Sequence, residues 1–121
     1  MRVRLKRGRL AADHMSMDQT SHMLTFEGEL DLATVEPFRT RLGAAAKTAA
    51  GCLVVDLSAV TFLDSVALAV LVRARRELAD RGGRLVLVIS PGSFPALVLA
   101  AAGLTQHLTI VETAAQALAA A

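Results

Sequence analysis

The residues able to do chemistry are few. Glu29 and Asp31 stand two apart in Gly28-Glu29-Leu30-Asp31 and could be drawn as a general acid and a general base. Such a couple needs one carboxyl with a shifted pKa, and nothing beside them in the sequence would shift it, so two acids in a loop read first as solvated. His14, His22 and His107 lie far apart, and Cys52 is the single cysteine. No His-x3-His, Cys-x2-Cys or Glu-x-x-His spacing occurs, so no metal ligand set is expected. The chain also lacks a Gly-x-Ser-x-Gly elbow, a phosphate-cradling loop ending in Gly-Lys-Ser/Thr, and a Gly-x-Gly-x-x-Gly turn. We therefore expect no catalytic residue, no metal, no cofactor and no enzymatic activity.

One stretch remains, Asp56-Leu57-Ser58-Ala59-Val60-Thr61-Phe62-Leu63-Asp64-Ser65. It reads as a buried strand ending near Leu57, followed by a loop that delivers Asp64 and Ser65 to the start of a helix. Serine is a leading N-cap, so simple capping is the first reading of Ser65. A helix N-terminus also favours an anion, through its unpaired N–H groups and the positive end of its dipole. A phosphoryl group on Ser65 would be tolerated locally while adding about −1.5 to −2 charges to an exposed surface. A partner docked flush on this turn would then lose its fit by size and by repulsion. Capping and switching are compatible roles.

The elements that must position this turn follow from periodicity. Met23–Phe26 reads as a strand ended by Gly28. Leu32, Val35, Phe38 and Leu42 recur at helical spacing, with Asp31 or Thr34 placed to cap. Cys52–Leu57 is an apolar run suited to a strand covered on both faces. A second helix runs from Ser65 to about Asp80 and stops at Gly82-Gly83. Arg84–Ile89 is another buried strand. Ser90 or Ser93 caps a third helix that ends before Gly103, where a left-handed C-cap fits. Leu108–Val111 forms a last strand, and Thr113-x-x-Gln116 is a capping-box pattern opening an alanine-rich helix. Strands alternating with helices of 10–17 residues predict an α/β domain with a largely parallel sheet.

Composition narrows the partners. The chain has 121 residues, enough for one core, and its 54% hydrophobic content excludes disorder. The formal charge of +2 comes from a basic leader: in residues 1–22 Arg2, Arg4, Lys6, Arg7 and Arg9 outweigh Asp13 and Asp18, and residues 23–121 have a net charge of −1. With no Trp or Tyr and four scattered Phe, no nucleic-acid footprint emerges. The uncharged stretch from Leu85 to Val111 is broken by Pro91, Gly92 and Pro95, so it is a core and not a membrane span. The lone cysteine fits a reducing compartment, and the cytoplasm is expected. Residues 1–22 read as a basic extension or an edge strand, and 23–121 as the domain.

Four blocks in order resemble the STAS domain, and more narrowly the bacterial anti-sigma factor antagonists. They are Gly28-Glu29-Leu30-Asp31 after a strand, Asp56-Leu57-Ser58, Phe62-Leu63-Asp64-Ser65 opening a helix, and Ala102-Gly103-Leu104 after a later helix. The resemblance covers about residues 23–121. It implies a mixed, largely parallel sheet of four or five strands flanked by about four helices. It also implies binding to an anti-sigma factor that is a serine kinase, which frees a sigma factor until phosphorylation ends the binding and a phosphatase restores it. On this resemblance Ser65 takes the phosphoacceptor position and Asp64 the acid before it, while Glu29 and Asp31 fall in the loop that adjoins the kinase. The kinase would supply ATP and Mg²⁺. The family usually reads Asp-Ser-Ser/Thr-Gly, whereas Val66-Ala67 follows Ser65 here, placing an apolar residue and an extra methyl at the expected partner contact. An alternative within the family is a scaffold subunit of a lipid-transporter or stress-signalling complex that docks without phosphorylation. A small-ligand or nucleotide site near Asp64 is a third reading.

Overall fold

The computed structural model describes residues 2–7, 22–49 and 51–120, the first segment and His22 as backbone alone. The elements run β1 (Arg2–Arg7), β2 (His22–Leu30), α1 (Val35–Thr48), β3 (Cys52–Leu63), α2 (Ser65–Ala79), β4 (Arg84–Val88), α3 (Phe94–Ala101), β5 (Thr109–Val111) and α4 (Ala114–Ala120). They form one sheet in the order β1-β2-β3-β4-β5; β1 is antiparallel to β2, and the other neighbours are parallel. An α/β architecture with four parallel strands and four helices is thus what the periodicities predict. Because strand order follows chain order, crossovers of one hand bring α1, α2 and α3 to the same face.

The two faces differ in thickness. Leu24, Phe26, Leu53, Val55, Leu85 and Leu87 point into the main core with Phe38, Leu42, Leu71 and Leu78 from the helices. Phe26 and Phe38 meet edge to face, with ring centroids 4.7 Å apart. The opposite face holds a smaller cluster, Cys52, Val54, Val86 and Val88, under Ala117 of α4. There the Arg84 guanidinium donates to the Ala120 carbonyl. Burial pushes the Cys52 thiol up from its ordinary value, against the opposing hydrogen bond and charge of Arg84. Thr113 and Gln116 form the expected capping box: Gln116 N–H donates to Thr113 Oγ1 at 3.1 Å, and Thr113 N–H to Gln116 Oε1 at 3.2 Å. Gly103 adopts φ +73, as a left-handed C-cap requires.

Several boundaries differ from the sequence reading. Gly28 does not end β2; with φ +92 it sits at a bulge, and the strand continues to Leu30. Likewise β3 does not end near Leu57. It runs twelve residues to Leu63, because two register shifts against β2 insert extra residues into β3. Each shift re-phases the side chains, so Leu57, Val60 and Leu63 all reach the core at every third position. Leu32 was expected on the buried face of the first helix, yet it lies in the turn before α1 and is 74% exposed. Of the two candidate caps for α3, Ser93 is the one used, accepting from Ala96 N–H at 3.3 Å. Ser90 instead closes the preceding turn through its carbonyl. α3 and α4 span 8 and 7 residues, shorter than the expected range.

These placements predict unequal costs for truncating two residues that share helical spacing in the sequence but not a face in the structure. Phe38→Ala should destabilise the fold by about 3–5 kcal/mol, as loss of a fully packed aromatic does. Leu32→Ala should stay within about 0.5 kcal/mol, as an exposed site does. Urea unfolding of the two variants checks both; comparable losses would contradict the position of Leu32.

Candidate functional site

The C-terminal ends of β2 and β3 lie side by side, with Leu30 opposite Leu63 and the Asp64 N–H donating to the Leu30 carbonyl at 3.1 Å. Loops at this edge of a parallel sheet emerge together, which is why ligands and partners of α/β folds gather there. Two turns meet: Asp31–Thr34 leading into α1, and Asp64 leading directly into α2. No loop separates β3 from α2 beyond Asp64 itself.

Asp64, and not Ser65, is the N-cap of α2. Its backbone is extended (φ −112, ψ −176), and Oδ1 accepts from the N–H groups of Val66 at 3.0 Å and Ala67 at 3.2 Å. Its second oxygen, Oδ2, accepts from the N–H of Leu32 at 3.1 Å. One carboxylate therefore starts the helix and ties it to the neighbouring turn. Capping by Ser65, the first local reading, is displaced by one residue. The physical reason is that a carboxylate offers two acceptor oxygens where a hydroxyl offers one. Ser65 becomes the first residue of the helix; it is exposed, and among the described residues its hydroxyl has no hydrogen-bond partner.

The Asp31 turn is built in the same way. Asp31 Oδ1 accepts from the N–H groups of Ala33 at 3.0 Å and Thr34 at 3.1 Å. The Thr34 hydroxyl has one proton, and the 2.6 Å contact with the Glu29 carbonyl is where it goes. Thr34 Oγ1 in turn accepts from the Asp31 N–H at 3.0 Å. Asp31 thus prepares the start of α1, while Thr34, at the N-cap position, makes no side-chain capping bond. Glu29 is exposed at the end of β2. Asp31 is half-buried and committed to its turn, which corrects the picture of two equally solvated acids.

The two residues after Ser65 part company. Val66 is half-buried and borders the space between α1 and α2. Ala67 has no accessible surface and packs into the main core. Its methyl therefore lies inside and not on a contact surface, contrary to the expectation from sequence. The helix turn places its Cβ inward while its N–H serves the Asp64 cap. Among the described residues no group of three His, Cys, Asp or Glu could hold a metal ion. None of the described helices is long and apolar enough to cross a membrane.

Sequence reasoning missed the apolar surface beside this turn. Phe62, turned outward by the second register shift, stacks on Phe94 at the start of α3 with centroids 5.1 Å apart and planes 15° from parallel. The pair is exposed by 38% and 42%, and Leu97, one turn along α3, by 63%. With Leu32 they make four of the five large exposed hydrophobic residues among those described, all on elements that begin or end at this edge. The available signal was Phe62 alone, an aromatic two residues before the cap that the spacing of Leu57, Val60 and Leu63 leaves outside the core.

The STAS domain family model matches residues 14–117. The chain belongs to the STAS domain family. A comparison with curated protein sequences gives no match. Among solved structures, the STAS fold seen here is similar to an anti-sigma factor antagonist from Mycobacterium paratuberculosis, with TM-score 0.77 and 24% identity over 98% of this chain and 93% of that one. It is also similar to the antagonist SpoIIAA in its unphosphorylated form (TM-score 0.71, 20% identity, 97% and 93% covered). The phosphorylated form of the Bacillus cell fate determinant SpoIIAA matches with TM-score 0.65 and 22% identity, over 97% and 96% of the two chains. In this STAS domain Asp64 supplies the order of the helix start, and the Ser65 hydroxyl is left outside it.

The capping assignment has a direct test. Asp64→Ala removes a cap and the bond to Leu32, and should cost about 2 kcal/mol. Asp64→Asn should recover the cap but not the bond to Leu32, because its amide offers one acceptor oxygen, and so about half of that loss. Ser65→Ala should change stability by less than about 0.5 kcal/mol. Chemical denaturation that ranks Ser65→Ala as the costlier change would reverse the assignment.

Proposed function

We propose that this STAS domain is an anti-sigma factor antagonist: it binds an anti-sigma factor that is also a serine kinase, frees a sigma factor, and is switched off by phosphorylation of Ser65. The observation that carries this reading is the exposed Ser65 hydroxyl at the first position of α2, unengaged among the described residues because Asp64 performs the capping. The likeness to antagonists solved with and without phosphorylation supports it. The chain acts without catalysis or a cofactor of its own, in the cytoplasm, and a phosphatase resets it.

The contact surface consists of Glu29, Asp31, Asp64, Ser65 and Val66; Ala67, fully buried with its N–H held by Asp64, only supports the helix start from within. Leu32 and the Phe62–Phe94 pair extend it, since stacked aromatics offer large apolar area at little entropic cost. Phosphorylation then acts through charge. The Asp64 carboxylate already occupies the N–H groups of Val66 and Ala67, so a phosphoryl group on Ser65 adds about −1.5 to −2 charges where the nearest backbone donors are taken. That charge falls on a surface already holding Glu29, Asp31 and Asp64, beside an apolar patch that must be desolvated for docking. A partner fitted to the neutral hydroxyl loses both shape and charge complementarity.

The protein recovered from its own cells should contain a fraction heavier by about 80 Da, one phosphoryl group. Phosphatase treatment should remove that fraction, and Ser65→Ala should abolish it. Ser65→Asp should weaken binding to the co-purifying anti-sigma factor by at least tenfold. A single unmodified mass under every growth condition, with an ATPase or a permease as the co-purifying partner, would replace the switch by the scaffold reading. Retention of the added mass in Ser65→Ala would move the modification elsewhere.

A further inference from the structure

Helices α1 and α2 pack side by side and leave between them, on their outer side, a groove of about 730 Å³. The apolar lining that forms its floor combines the small residues Gly43 and Ala44 of α1 and Ala69 and Ala74 of α2 with the half-buried Val66 and Val70. Gly43 lies inside a helix, where it costs up to about 1 kcal/mol relative to alanine. Nothing in the fold requires it: its φ is not positive, and a Cβ built there meets no atom within 4 Å. Its effect is to keep the floor open. The rim is cationic. Lys47 and Arg73 line it, exposed and without an ion pair among the described residues, and Glu77 is the single acid in the lining. A third cation, Arg39, stands further along the same edge, paired with Glu36.

We propose that this groove is a docking site for an acidic amphipathic helix of a partner protein. A concave apolar floor below a positive rim fits a rod with an apolar stripe at i, i+3, i+4 and i+7 and acids on its flanks. The lining runs from Arg39 to Lys47 and from Val66 to Glu77, roughly 12–17 Å at 1.5 Å per residue, or about two to three turns of such a helix. A lipid surface is flat and calls for a protruding apolar face, and a nucleic acid calls for stacking aromatics that the groove lacks. Docking here requires no modification of Ser65 and stands whether or not that serine is a switch.

A displayed library of 14-residue helical peptides, randomised on one face and selected against the intact protein, tests the proposal. Recovered binders should carry an excess of Asp and Glu flanking an apolar stripe, and should weaken as salt rises. They should lose at least tenfold in affinity on the double variant Lys47→Glu/Arg73→Glu, and similarly on Ala69→Leu, which fills the floor. Arg75→Glu, exposed on α2 but outside the lining, should leave binding unchanged. Thermal melts by circular dichroism confirm that each variant is folded; if Ala69→Leu is not, the charge-reversed surface variant decides. The proposal is overturned if no binder is recovered, if binders show no acidic excess, or if they bind the charge-reversed protein as tightly as the parent. It is equally overturned if the groove variants instead abolish self-association, or abolish sedimentation with phosphatidylglycerol vesicles.

Discussion

The carboxylate of Asp64 is the constraint on which the site depends. Three backbone N–H groups from two segments converge on it, Val66 and Ala67 on their own helix and Leu32 from a turn 32 residues earlier. A hydroxyl in its place could accept the local bonds of a cap, but it could not also hold the second turn. Because the acid does both, α2 begins one residue earlier than a serine cap would start it, and Ser65 stands in the helix with its hydroxyl unassigned. The Ser65 hydroxyl is left exposed and unengaged among the described residues because its neighbour takes the capping bonds.

What carries Asp64 to that position is the irregularity of β3. A regular twelve-residue strand would alternate faces throughout, and Phe62 and Leu63 would meet different neighbours. The two extra residues in β3 let Leu57, Val60 and Leu63 all anchor in the core, while Phe62 turns out against Phe94. The same irregularity removes the loop between strand and helix. The turn is therefore held by buried leucines on one side and by the cap on the other. Large apolar side chains left outside the core at this one edge are the corresponding cost in stability.

Charge is distributed unevenly along the helical face. The edge around Ser65 is acidic, with Glu29, Asp31 and Asp64, whereas the α1–α2 groove that begins at Val66 is rimmed by Arg39, Lys47 and Arg73. The near-zero balance of residues 23–121 conceals both regions, because they cancel in the sum. Surfaces of opposite sign that meet at the start of α2 give this small domain two chemically distinct faces, one proposed to sense phosphorylation and one proposed to take an acidic helix.

By itself the sequence determined the fold class, the order of the elements, the α4 capping box and the left-handed Gly103. All of these rest on local signals: runs of Leu and Val, a 3.6-residue period, Gly and Pro at stops, and acceptors just before helices. It did not determine which acceptor caps. Asp64 against Ser65, Asp31 against Thr34, and Ser93 against Ser90 are adjacent or near-adjacent acceptors of equal local merit, and at Asp64 the distant N–H of Leu32 adds a bond that a serine cap could not also make. Nor could it give the length of β3, since apolar residues at every third position do not look like a strand until β2 is beside it to impose the shifts. The inward methyl of Ala67, the outward Leu32 and the open floor at Gly43 likewise belong to tertiary structure. Whether a side chain faces core or solvent at the end of an element depends on what packs against it, and that information is not held by its neighbours in the chain.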